Sequence, residues 1–240
     1  MRFIVIDTAD ARGSVALFEN SQLLGIEAHT SDEDYSGWLL PAVHRLLAPL
    51  QLSVSQLGGY AVCAGPGSFT GLRVGLTTVK AWAEIYGKPI AAVSRLEALT
   101  VAEPPIQEPF IAAWFDARRE QVFAALYAES ASGFRLLGEE SVIALPDFMA
   151  RVAAEAAGQA VRWISPDAQL LESHPGWPPL ARQGNVLEGV APPFAGRLGP
   201  LAHQKFQLGD TTDALSLDAN YVRRSDAEVF WKGNNPALTS

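Results

Sequence analysis

Cys63-Ala-Gly-Pro-Gly-Ser-Phe-Thr-Gly-Leu-Arg-Val-Gly-Leu-Thr-Thr-Val-Lys-Ala-Trp82 is the stretch that decides how this chain folds. An apolar strand, Tyr60 to Ala64, runs through a glycine-proline turn straight into a helix rich in small residues, expected over 70–86. Gly65 and Gly67 permit backbone angles and close approaches that a side chain would block, and Pro66 stiffens the turn between them. Ser68 or Thr70 can cap the helix that follows. Such a turn is either an anion cradle, with bare amides at a positive helix end, or a tight strand-to-helix connection. It is not a Walker loop, because no Gly-Lys-Ser/Thr follows at the required spacing.

Working outward, Arg2 to Asp7 is nearly all apolar, as in a strand covered on both faces. A polar turn leads to strands Ser14 to Glu19 and Leu23 to Ala28. Tyr35, Trp38, Leu39, Ala42, Val43, Leu46, Leu47 and Leu50 follow the helical period, with Pro41 expected to kink that helix or to open it. After the glycine turn and its helix come a strand at Ile90 to Val93 and a short helix around Arg95 to Ala102. Three prolines between Glu103 and Pro109 mark a lobe boundary, giving expected lobes of 1–103 and 104–225 and a tail of 226–240.

Beyond the boundary the order of elements repeats: strands Phe110 to Asp116, Gln121 to Ala128 and Phe134 to Ile143, then a helix opening at Pro146. Ile6-Asp7 and Phe115-Asp116 end the first strand of each half, and a short polar turn follows both. The expected fold is therefore α/β, two similar lobes facing a cleft, each built on a duplicated βββαβα unit. The region from Ala160 to Val190 is left without assigned elements, and a helix is expected from Pro193 to Phe206.

Composition narrows the functions. Apolar residues make up 48% and charged residues 18%, ordinary for a globular protein. The net charge of -8, with no basic stripe, argues against unaided grip on nucleic acid. The single cysteine, Cys63, excludes an internal disulfide and fits a reducing cytoplasm. No apolar run is long enough to cross a membrane, and no signal peptide is read at the N-terminus.

Phe3-Ile-Val-Ile-Asp-Thr8, Gly65-Pro-Gly-Ser-Phe-Thr-Gly-Leu-Arg73, Val93-Ser-Arg-Leu-Glu97, Phe115-Asp-Ala-Arg118 and Tyr221-Val-Arg223 resemble the bacterial TsaB family, in order across nearly the whole chain. The resemblance implies a two-lobed fold of the actin, sugar kinase and Hsp70 ATPase type. It also implies a role in making threonylcarbamoyladenosine, the modified base beside the anticodon of tRNA. In that family the protein is not the catalyst. It pairs with a paralogue of the same fold, TsaD, which carries the metal, and the ATPase TsaE joins them.

The catalytic paralogue reads roughly Val-Asn-His-Leu-Glu-Gly-His where this chain has Val93-Ser-Arg-Leu-Glu-Ala-Leu99, so Arg95 and Leu99 stand at the ligand positions. Neither side chain can ligate a divalent cation, and no metal site is expected. Asp7 and Asp116 are the candidates for residual phosphate chemistry with magnesium, as in kinases of this fold; otherwise each caps the turn after it, and Arg118 and Arg119 could satisfy Asp116. Asp7, Gly65, Gly67 and Ser68 are the expected contacts if ATP or ADP lies at a joint surface, with no cofactor tightly bound to the chain alone.

The helix over 70–86 has two apolar faces, one of Leu72, Leu76 and Val79, the other of Val74, Thr78 and Ile85, with Gly71 and Gly75 lowering its surface. Either both faces pack inside one monomer, or one meets a partner. The resemblance selects the second, so Tyr35, Trp38, Leu39, Leu72, Gly75, Leu76 and Val79 are the expected partner contacts, for the paralogue or a second copy. Two residues depart from the family pattern: Tyr35 stands where a histidine is usual, and Asn220 where a proline is usual. The sequence thus reads as a non-catalytic subunit; a small-molecule kinase or ATP hydrolase of the same fold is the alternative.

Overall fold

The computed structural model describes residues 1–30, 33–101, 106–131, 133–220 and 222. The first half contributes β1 (Arg2–Asp7), β2 (Ser14–Glu19), β3 (Gln22–Ala28), helix α1 (Tyr35–Leu47), β4 (Gly59–Gly65), helix α2 (Phe69–Tyr86) and β5 (Ile90–Ser94). The second contributes β6 (Phe110–Arg118), β7 (Gln121–Ser130), β8 (Gly133–Ala144), α3 (Leu145–Ala156), β9 (Val161–Ser165), two short helices α4 (Gln169–Glu172) and α5 (Trp177–Arg182), β10 (Val186–Gly189) and α6 (Ala195–Leu208).

These strands form two five-stranded sheets, β3-β2-β1-β4-β5 and β8-β7-β6-β9-β10. In each, the first three strands are antiparallel neighbours and the last two run parallel to the first strand. The parallel strands need long crossovers, and α1 and α2 supply them in the first lobe. The duplicated βββαβα order expected from sequence is present. Val161 to Gly189, left unassigned above, supplies the matching β9 and β10.

Local outcomes follow from local chemistry. Pro41 sits inside α1 without ending it, and the helix passes at Leu47 into a single 3-10 turn, Ala48–Leu50, with Pro49 at its start. The short helix expected near Arg95 is one 3-10 turn, Glu97–Thr100. The boundary residues 102–105 and the tail from 223 lie outside the described residues.

The first sheet is covered on both faces. Ile6 and Val62 meet α2 at Gly75, whereas Phe3 stacks on His203 and edges against Phe206 from α6. Positions 3 and 6 of one strand have opposite parity, so α2 and α6 cover opposite faces. Helix α6 thus returns from the second half of the chain to the first sheet, where Ala195, Leu198 and Ala202 join its core. Division by chain order would have left this helix with the second lobe. On β6, Ala112 and Trp114 face α3, while Ile111, Ala113 and Phe115 face the seam between lobes. That seam includes Leu96 and Leu99 from the first half.

The glycines of α2 permit its close approach to the sheet. A Cβ at Gly75 would lie 2.6 Å from the Thr8 hydroxyl, and one at Gly71 would strike the Thr8 carbonyl oxygen. Backbone cannot yield as a flexible side chain can. Gly71→Ala is expected to cost about 1–3 kcal/mol, read as a lowered thermal midpoint by circular dichroism with the folded spectrum retained.

Candidate functional site

The two lobes meet at a buried cation. Arg95 follows β5 directly, its backbone amide donating to the Gly65 carbonyl at 2.7 Å. Its side chain is 2% exposed; Nη2 lies 2.8 Å from Asp10, and Nε 3.6 Å from Asp7, which is wholly buried. The guanidinium carbon lies 4.3 Å from the centre of the Phe115 ring and 5.1 Å from that of Phe194. Carboxylates of the first lobe therefore hold the charge while rings from the second half cover it.

Burial pushes the Asp7 carboxyl up, against the pull of Arg95. Asp10 feels the same burial, but Arg95 and Arg12 overcome it and hold its carboxyl below the usual range. Taking such ions out of water costs several kcal/mol each, so pairing and stacking must stay intact together.

Above Arg95 opens an interlobe cleft of about 750 Å³, lined by both hairpin turns and the start of α2. Arg12 crosses it, bonding Asp10 on its own turn at 2.8 Å and Asp167 of the second lobe at 3.2 Å. Asp167 in turn accepts from the Asp116 backbone amide at 2.9 Å. Asp116 accepts from the Arg118 amide at 2.7 Å, the turn-capping role expected for it, with Arg118 Nη1 at 3.9 Å. Asp167 was missed from sequence because it lies in the unassigned region; the signal was an acidic residue just past the apolar run Val161 to Ser165.

The turn between β6 and β7 is strained. Arg118, Arg119 and Glu120 have φ of 64°, 55° and 59°, three consecutive non-glycine residues in the left-handed region. Each costs roughly 1–2 kcal/mol. A two-residue hairpin turn with both φ positive is ordinarily Asn-Gly.

The glycine turn proves to be chiefly a packing device. Ser68 donates its amide to the Ala9 carbonyl at 2.6 Å, and its hydroxyl caps α2 by accepting from Gly71 at 3.3 Å. Gly65, at φ +116°, faces the Asn220 carbonyl, and Gly67 lies against Ala9. Of the four expected nucleotide contacts, only Gly67 and Ser68 line the cleft. Asp7 and Gly65 are corrected: Asp7 is sealed beneath Arg95, and Gly65 is buried under the C-terminal segment. Magnesium does not fit here, because Asp7 and Asp10 answer Arg95 while Asp116 and Asp167 hold backbone and Arg12.

The expected partner contacts also need correction. Trp38, Leu72, Gly75, Leu76 and Val79 belong to the monomer's own core. Gly71 and Gly75 face the chain's own sheet, not a foreign helix. Leu39 is 2% exposed yet borders, with Tyr35, a groove of about 560 Å³ between α1 and α2. Leu40, Phe69, Arg73, Val74, Thr77 and Thr78 are among its other lining residues. Leu40 is 55% exposed, and Ile85 further along α2 is 69% exposed. The second apolar face of α2, with Val74 and Thr78, borders the groove, and the face expected to meet the partner is core.

Both departures from the family pattern have structural work. The Tyr35 hydroxyl accepts from the Gly13 amide at 2.8 Å and donates to the Asp10 carbonyl, bracing the turn beneath Arg95. Asn220 donates its backbone amide to Ala64 at 2.8 Å, a bond no proline could make, and its side chain donates to Glu140. Glu140 also accepts from Ser94, tying the lobes together a second time. Burial pushes Glu140 and its neighbour Glu97 up, and pushes Tyr127 beside them up strongly.

Comparison with known proteins agrees with this architecture. Residues 18–169 match the family described as TsaD: tRNA N6-adenosine threonylcarbamoyltransferase. The chain is 28% identical to the Bacillus subtilis tRNA threonylcarbamoyladenosine biosynthesis protein TsaB, over 96% of this chain and 98% of that one. The Escherichia coli protein of the same name is 26% identical, over 97% of each. A Pseudomonas aeruginosa structure described as similar to the peptidase YeaZ superposes with a TM-score of 0.76 at 27% identity, covering 92% of this chain and 99% of that one. A hexokinase of the ROK type from Thermus thermophilus, at 14% identity and TM-score 0.51 over 84% of this chain and 98% of its own, shares the fold alone. The fold is thus the two-lobed one of the sugar kinases, and the chain belongs to the TsaD-type family, on its TsaB branch. A role in threonylcarbamoyladenosine biosynthesis follows from that membership.

Two outcomes test the electrostatics. Arg95→Ala leaves Asp7 buried without a counter-charge, while Asp10 keeps Arg12, so a loss of about 3–5 kcal/mol is expected in denaturant unfolding, partly restored by adding Asp7→Asn. Glu97 has a raised carboxyl, so its favourable contribution is complete at low pH and fades as pH rises through its folded value. Glu97→Gln should therefore raise the thermal midpoint by a few degrees at pH 8, with the gain vanishing near pH 4.

Proposed function

We propose that this chain is the non-catalytic, activating subunit of a tRNA threonylcarbamoyladenosine complex. In this reading it pairs with a TsaD-like catalytic paralogue, and a TsaE-like ATPase joins the pair. The observation that carries the reading is Arg95, whose fixed positive charge occupies the position where the resemblance places the paralogue's metal ligand, with Asp7 and Asp10 committed to it. A cation built into the chain cannot exchange, polarise a substrate or generate a hydroxide.

The groove between α1 and α2 is the surface this reading assigns to the partner. It offers apolar side chains on two rigid helices with Arg73 stacked over Phe69 at 3.7 Å, a composition suited to an interface centre. A second copy of the chain could occupy it when the paralogue is absent. With a net charge of -8, contact with tRNA falls to the partner. ATP or ADP, in this reading, is held by the assembly and not by Asp7 and the Gly65 turn.

Sedimentation of the chain with and without the paralogue, at physiological salt, tests the proposal. A one-to-one complex is expected. Leu40→Glu or Val74→Glu should abolish it while shifting the thermal midpoint by only a few degrees. Failure to associate, with or without ATP and magnesium, would overturn the pairing; association untouched by either variant would move it to another surface.

A further inference from the structure

We infer that the segment carrying Leu217, Asn220 and Val222 is a strap across the two lobes, and that a proton on Glu140 tightens it. The inference goes beyond the partner reading and does not depend on it. The strap is fastened at three places. Leu217 is buried in the core of the first sheet, and Val222 packs against the core at the seam between the lobes. Between them, the Asn220 backbone amide donates to the Ala64 carbonyl at 2.8 Å, and its side-chain amide donates to Glu140 of β8 at 2.5 Å. Asn220 and Val222 both line the interlobe cleft, so lifting the strap would uncover one edge of it.

The surroundings of Glu140 make the middle fastening sensitive to protons. Glu140 shares the seam face of β8 with Val142. Ser141 faces α3 on the other side, where Arg151 donates to its hydroxyl at 3.3 Å. On the seam, the Ser94 hydroxyl at the end of β5 donates to one oxygen of Glu140, and Asn220 donates to the other. Glu97 of the 3-10 turn and Tyr127 of β7 adjoin the carboxyl, and Lys205 and Asp210 act on Glu97 from behind. Both donors are neutral, and the charge of Glu97 has the same sign as an ionised Glu140. Burial pushes the Glu140 carboxyl up, and Glu97 adds to that push. The hydrogen bonds accommodate the proton. Ser94 already accepts from the Leu96 and Glu97 amides at 3.1 and 3.3 Å, so its own proton stays on Glu140 in either state. Asn220 is the adaptable partner: its amide donates to a carboxylate and, turned over, accepts from a carboxylic acid. The protonated acid therefore keeps both bonds and loses the repulsion from Glu97. Because the folded carboxyl is raised, the hold is complete at low pH and fades as pH rises through its folded value.

Hydrogen exchange of the purified chain, expressed as protection factors from about pH 5 to about pH 8, tests the strap. Across that range the Asn220 amide is expected to lose about tenfold in protection relative to the amides of β1. Glu140→Gln matches the protonated acid in shape and charge, so its strap should hold throughout, with circular dichroism confirming the fold. Glu97→Gln removes the like charge beside Glu140, so the fall in protection should move to lower pH. Asn220 protection that ignores pH or grows with it, a full response in Glu140→Gln, or a midpoint unmoved by Glu97→Gln would each overturn the strap.

Discussion

The structure depends on one buried positive charge. Arg95 leaves the end of β5 with nowhere to go but the junction of the lobes, and there it is neutralised by two carboxylates and covered by two rings. Each partner comes from a different piece of chain: the end of β1, the turn after it, the end of β6, and the start of α6. Alone, the guanidinium would be intolerable in that position; together, these groups make the closed arrangement the only one that satisfies it. A covalently attached cation thus joins the two halves of the chain at this junction.

The second organising feature is the way the chain crosses between its own halves. Duplication alone would give two lobes joined at a proline-rich link. Helix α6 instead carries the C-terminal half back across the first sheet, where Gly199 admits the Phe18 ring and Ser14 accepts the first amide of the helix. Beyond it, Thr212 pairs with Ile90, and Asn220 reaches Ala64 and Glu140. The cleft is therefore bounded by segments from both ends of the sequence, and its geometry answers to all of them.

Strand order and the duplication were legible because they rest on local patterns: apolar runs such as Arg2 to Asp7, and recurring polar turns after Asp7 and Asp116. The cap at Ser68 was legible for the same reason. Side-chain destinations were not. Both faces of α2 are apolar by composition, and only the close approach of Gly71 and Gly75 to Thr8 shows that the Leu72, Leu76 and Val79 face belongs to the monomer. Asp7 looked like a ligand because its neighbours Asp10 and Arg95 lie 3 and 88 positions away, and pairing across 88 residues leaves no local trace. Arg118 to Glu120 gave no sign of positive φ, since neither arginine nor glutamate favours it. The strain becomes visible only in the folded hairpin.

In the proposed reading the chain contributes architecture, not catalytic groups, to tRNA threonylcarbamoylation. The measurement that bears on it most directly is the rate of threonylcarbamoyl transfer to tRNA by the purified chain, by its TsaD-like paralogue, and by the two together with the ATPase. The account predicts modification by the assembly, none by this chain alone, and little by the paralogue without it. Transfer by the chain alone, or a paralogue equally fast in its absence, would contradict it.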